Sequence, residues 1–209
     1  MMTLLQCIKS ARWPDDGPLA LLPGVDTDKE RQRAQEGRSQ PQSLTQIHDI
    51  PQPALTKLLT SLGVPRDFQP QVDKAVDTLP NLEINIMSTN ALGLTVGVAR
   101  LNAATQPDYR IYAPRYPKPQ SEGFFLVVAD SIKDEVLALK RIHWPPVEKI
   151  RGSGNKPTSR SIVKLKSENV ERKVDVLVVS DSYVGMVWRV EGVEVPAVPM
   201  VDEYGKSKT

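Results

Sequence analysis

Apolar residues recur along this chain first with the period of a helix and then, past Pro80, with the period of a strand. Leu4, Leu5, Ile8 and Ala11 share one helical face, and the run stops at Trp13-Pro14, where proline disfavours α geometry in the residue before it. A short amphipathic helix therefore opens the chain. From Asp15 to Pro41 proline, glycine and charge dominate, offering that helix little to pack against, as expected of a segment cut from a longer polypeptide. Within this stretch the polar run Asp28 to Ser43 predicts a mobile loop or a short solvated helix. Leu55, Leu58, Leu59 and Leu62 then follow helical spacing up to Gly63, a residue suited to a helix C-terminus. Val72, Ala75, Val76 and Leu79 repeat the spacing between Pro70 and Pro80, giving a helix-loop-helix over Ala54 to Pro80.

Beyond Pro80 the alternation of Leu82, Ile84 and Ile86, then of Leu94, Val96 and Val98, predicts two strands. Phe124 to Trp144 reads as an antiparallel hairpin turning over Asp130 to Glu135. Its first strand is apolar on both faces and belongs inside a sandwich. Its second, with Val136, Ala138, Lys140 and Ile142 on one face and Leu137, Leu139 and Arg141 on the other, suits a sheet edge. Ser161 to Lys166, Val174 to Ser180 and Met186 to Val190 complete the strands. Strands without intervening helices predict an antiparallel Greek-key sandwich, and the missing Cys, Trp, Cys pattern of antibody domains favours a fibronectin-type variant. The fold class is thus α+β: N-terminal helices with a helix-loop-helix, then an immunoglobulin- or fibronectin-like β-sandwich. The expected divisions are 1–43, 44–80, 81–195 and a tail over 196–209.

Composition narrows the partners little. The chain has 209 residues, 40% hydrophobic and 25% charged, with a net charge of +2, which by itself implies no nucleic acid. The single Cys7 excludes an internal disulfide and suits a reducing, cytoplasmic or nuclear setting. No apolar run approaches the roughly 20 residues of a membrane span, and Met1 to Trp13 has too short an apolar core for a secretion signal, so no membrane partner is expected.

Reactive constellations are hard to assemble from these residues. Gly152 to Lys156 lacks phosphate-loop spacing and leads into a strand, and Gly205-Lys206-Ser207 has Met200 where the first glycine belongs. The glycine turns at Gly24 and Gly63 read as structural C-caps, since Asp26 opposes an anion at one and Pro65 removes a donor at the other. His48 reads as a loop residue and His143 as surface packing beside Trp144. Neither pairs with Cys7 at metal-ligand spacing, and Ser180-Asp181-Ser182 has no histidine placed to complete a triad. No catalytic, cofactor-binding or metal residue is expected. The remaining chemical signal is basic: Lys149 to Lys173 holds eight cations against two acids, a density that can follow phosphates or simply guard a sheet edge.

The strings ARWPDDGPLALLPGV (Ala11 to Val25), IYAPRYPKPQSEGFFLVVAD (Ile111 to Asp130), EVLALKRI (Glu135 to Ile142) and VLVVSDSYVG (Val176 to Gly185) resemble one known family. Over Thr3 to Val195 the chain is similar to the latter part of the Sec63 homology unit of tandem-cassette DExH-box RNA helicases: the last helix of a helical bundle, a helix-loop-helix and an immunoglobulin/fibronectin-like domain. The resemblance tilts toward the helicase subunit of the activating signal cointegrator complex and its fungal ribosome-quality-control relatives. The spliceosomal helicase that unwinds small nuclear RNAs and the ER translocation protein that names the unit stand as alternatives. It implies a non-catalytic scaffold. ATP and Mg would serve the parent's motor, since no phosphate-binding loop or DExH box occurs in this chain. Partners would be motor domains of the same polypeptide and proteins of the parent complex, with RNA a further candidate. Contact residues suggested on this basis are Lys149, Arg151, Lys156 and Arg160 for RNA and Tyr112, Arg115 and Tyr116 for protein, tyrosine and arginine being favoured at interfaces.

Overall fold

The computed structural model describes residues 2–37, 41, 43–102, 109–145, 156–166 and 171–197. Helices α1 (Met2–Ser10), α2 (Thr27–Gln35), α3 (Gln52–Ser61) and α4 (Gln69–Thr78) come first. Strands β1 (Leu82–Asn90), β2 (Gly93–Arg100), β3 (Phe124–Asp130), β4 (Glu135–Ile142), β5 (Thr158–Lys164), β6 (Arg172–Ser180) and β7 (Val187–Val195) follow. The sheets are β1-β2-β5 and β4-β3-β6-β7, antiparallel throughout, so the α+β sandwich read from the periodicity is the fold.

Alternation decides what the sandwich buries. Phe124, Leu126 and Val128 of β3 meet Val96 and Val98 of β2 and Val174, Val176 and Val178 of β6 in the core. Phe124 stands edge-on to both Trp144 and Trp188, a geometry that suits the aromatic quadrupole. The opposite face of β3, Phe125, Val127 and Ala129, is half-buried, and β3 lies between β4 and β6, as expected of a strand apolar on both sides. In β4 the expected faces are broken by a bulge: Val128 pairs with Ala138 but Ala129 with Val136. The extra residue moves Val136 to the outer side with Leu139, and Leu137 packs inward. The hairpin turn closes through Asp130, whose carboxylate accepts the Ile132 and Lys133 N–H groups, both at 3.0 Å.

The helical half differs from expectation over Asp15 to Pro41. Pro18–Leu21 forms a 3-10 turn that carries Leu19, Leu21 and Leu22 into a core with Ile47, Leu55, Leu59, Leu62, Val72 and Leu79. Far from offering nothing to pack against, this stretch supplies part of the centre. Asp26 caps α2 by accepting from the N–H groups of Asp28 and Lys29, so the polar run begins as a capped helix. Glu30, itself buried, turns back to accept the Leu19 N–H at 2.8 Å. Gly63, at φ +85°, ends α3 with paired bonds from Gly63 N–H to the Thr60 carbonyl and from Val64 N–H to the Leu59 carbonyl. Ile111, Tyr183 and Met186 from the sandwich side join this core, so helices and sheets share one packed boundary.

Candidate interaction surface

Two buried ionic clusters fix that boundary. Arg100, at the end of β2, donates to the Glu122 carboxylate, to the Thr78 carbonyl at 2.9 Å and to Asn102 Oδ1 at 3.2 Å. Asn102 in turn donates to the Asp77 and Leu79 carbonyls, so the C-terminal end of α4 is held by the sandwich. Burial pushes the Glu122 carboxyl up to about 7 against the pull of Arg100. The second cluster centres on Asp181, which accepts from Lys9 Nζ at 2.7 Å, Arg141 Nη2 at 2.9 Å, Gly123 N–H at 3.0 Å and Ser182 Oγ at 2.5 Å. Ser180 Oγ accepts the Ser182 and Tyr183 N–H groups, and Tyr183 Oη accepts the Tyr112 N–H at 2.7 Å. The two strings most specific to the resemblance, around Glu122-Gly123-Phe124 and Ser180-Asp181-Ser182-Tyr183, therefore meet in space. A Cβ on Gly123 would lie 2.3 Å from Asp181 Oδ2, which is why only glycine fits there.

Helix α1 is tied to this cluster by its polar side. Gln6 Nε2 donates to the Ser180 carbonyl at 2.6 Å, Lys9 reaches Asp181, and the residues that α1 buries are Gln6, Cys7 and Ser10. The apolar side points away: Leu4 is 59% exposed, Ile8 55%, and Trp13 just beyond the helix 73%. An amphipathic helix normally does the reverse, so this stripe is an exposed apolar surface. The Cys7 thiol, buried and pushed up by that burial, is poorly placed for chemistry.

The suggested contact residues separate. Tyr112 packs on the helical core, Tyr116 is half-buried, and Arg115 is exposed, with Tyr112 and Tyr116 lining a shallow groove that also includes Arg110 and Lys118. The residue that sequence reasoning missed here is Arg12, lowered to about 10 by burial and by the nearby Arg115 guanidinium. Lys156 and Arg160 are exposed, the latter on the outer face of β5, whereas Lys149 and Arg151 lie outside the described residues. Gln6, Lys9, Arg100 and Asp181, which hold the unit together, also went unread, because side chains that pair across long sequence separations leave no local period. The one available signal was Ser180-Asp181-Ser182, a polar string at the end of an apolar strand.

His48 sits half-buried in the 3-10 turn Leu44–Asp49, its pKa lowered by burial, and His143 is exposed at the end of β4. Among the described residues no group of three or more His, Cys, Asp or Glu could hold a metal ion, and no helix is long and apolar enough to cross a membrane. Ionic joints beneath an outward apolar helix are the features of an accessory module. The family model of the Sec63 Brl domain, a non-catalytic unit associated with helicases or with translocation, matches residues 1–192, and the chain belongs to that family. A search of curated proteins gives no match.

Proposed function

We propose that this chain is the docking module of an ATP-dependent, tandem-cassette RNA helicase, bracing its motor domains and holding partner proteins in ribosome quality control or related RNA processing. ATP and Mg act in the motor, outside these residues. The observation that carries the reading is the inverted α1: its polar side is bonded to the sandwich through Gln6 and Lys9, so Leu4, Leu5 and Ile8 are left for another helix or domain. Covering the exposed halves of Leu4 and Ile8 contributes about 1.5–3 kcal/mol, or roughly ten- to 140-fold in affinity.

The test is co-purification of the chain with the motor cassette of its parent polypeptide. Leu4→Asp with Ile8→Asp is expected to abolish the association while unfolding stability changes by less than about 0.5 kcal/mol, the usual range for surface positions. Undiminished association of the double variant refutes the reading. Capture of a translocation channel in place of a motor replaces the helicase reading with the translocation one.

A further inference from the structure

The outer face of the β1-β2-β5 sheet carries a line of cations that the docking role leaves unused. From Lys156 to Lys166 burial alternates strictly: Lys156, Thr158, Arg160, Ile162, Lys164 and Lys166 are exposed, and Pro157, Ser159, Ser161, Val163 and Leu165 are buried. Arg160 and Lys164 lie four residues, about 13 Å, apart along the strand, comparable with the span of two phosphate steps on an extended single strand. No carboxylate pairs with Lys156, Arg160, Lys164 or Lys166 among the described residues, although Arg172, Lys173 and Arg189 nearby are all bonded. Glu83, out on β1, is the one acid among the described residues of the three strands.

The partners of the exposed positions on β2 are small and buried: Ala99, Gly97, Thr95 and Gly93 pair with Thr158, Arg160, Ile162 and Lys164, and Met87 leans over Gly97 beside Arg160. Ile162, 61% exposed between Arg160 and Lys164, offers an apolar contact to a base. A peptide strand added to the β5 edge fits less well. Lys140 of β4 already donates to the Ile162 carbonyl at 3.1 Å, which occupies one of the backbone acceptors such a strand would need.

We propose that this face binds single-stranded nucleic acid through its phosphodiester backbone, with Lys156, Arg160, Lys164 and Lys166 as the phosphate contacts. The site is independent of the α1 surface. Four contacts to a single strand give a salt slope of about −2.8, so affinity falls about fiftyfold between 50 and 200 mM monovalent salt.

The experiment measures binding of the full chain to a fluorescently labelled oligouridylate by anisotropy across that range. Arg160→Thr with Lys164→Thr keeps β propensity and should reduce the slope to about −1.4. Lys57→Gln with Lys74→Gln, on α3 and α4, removes the same charge elsewhere and should leave the slope unchanged; both variants are checked for wild-type unfolding midpoints. Absence of binding at 50 mM salt overturns the proposal, as does an equal loss in the two double variants, which would mark a diffuse charge effect. Tighter binding to phosphatidylserine vesicles than to oligouridylate, reduced by the same β5 variant, also overturns it by assigning the line of cations to a membrane surface.

Discussion

Removing the Asp181 carboxylate tests whether α1, β3 and β4 are held by one joint. Asp181 is 1% exposed and accepts four hydrogen bonds, but its donors differ in what they lose. Arg141, with a side chain 52% exposed, can turn to water at little cost; Lys9, at 14%, turns less easily. The Gly123 N–H is buried backbone and cannot, so leaving it unsatisfied costs about 1–3 kcal/mol. Adding one charge-assisted bond from Lys9, at about 1.5–3 kcal/mol, puts Asp181→Ala at roughly 2.5–6 kcal/mol. Asp181→Asn keeps an acceptor for Gly123 and should cost about half as much. Urea unfolding at neutral pH, followed by circular dichroism with an unchanged m-value, reads these differences. Gly123→Ala supplies the internal control. Its Cβ strikes Asp181 Oδ2 and lies 2.7 Å from Arg141 Nη2, so its penalty should shrink by at least about 1 kcal/mol once Asp181 is alanine. Additive losses in the double variant, or a cost below about 1 kcal/mol for Asp181→Ala, would refute the joint.

Two other perturbations probe the interior. Leu19→Ala, in a stretch without helical or strand period, should destabilise by about 2–5 kcal/mol in the same unfolding assay, as for any fully buried leucine; a loss under about 1 kcal/mol would return that stretch to the surface. Glu122, held at about 7 in the fold against an ordinary carboxyl near 4.3, binds its proton more tightly folded than unfolded. Stability from this group is therefore full below about pH 4 and declines as pH rises toward 7, levelling above it; urea titrations at pH 5 and pH 8 should show the decline in the wild type and lose it in Glu122→Gln.

Most of the architecture is legible wherever one face of an element is buried and the other is not. The strand pattern at Leu82 to Ile86 and the leucines of α3 each declare a period because water sits on one side, while Phe124 to Ala129 is read instead from its continuous apolar run. Leu19 to Leu22 escapes because a short apolar run between prolines, buried on every side, has no period to detect. The β4 faces shift because a bulge adds a residue that alternation cannot foresee. Among the contact residues, exposure of Arg160 and Lys156 follows from strand alternation, whereas Tyr112 could have faced either way: its backbone N–H bond to Tyr183 and its packing on the helical core come from a loop whose path no period dictates.

The α1 helix combines both lessons. Its sequence gives the correct helix, with the hydrophobic residues on one side, yet the side that contacts the rest of the chain is the polar one, because Gln6 and Lys9 find a carbonyl and a carboxylate already fixed at the end of β6. Bonds of this kind are worth about 1–3 kcal/mol each, and the two together match what covering the exposed halves of Leu4, Leu5 and Ile8 would contribute, at about 0.75–1.5 kcal/mol per side chain. Without those two bonds, hydrophobicity would roll the helix over. That it sits with its polar side inward follows from specific partners in the Ser180 to Tyr183 corner, and the apolar stripe is thereby held outward in one orientation.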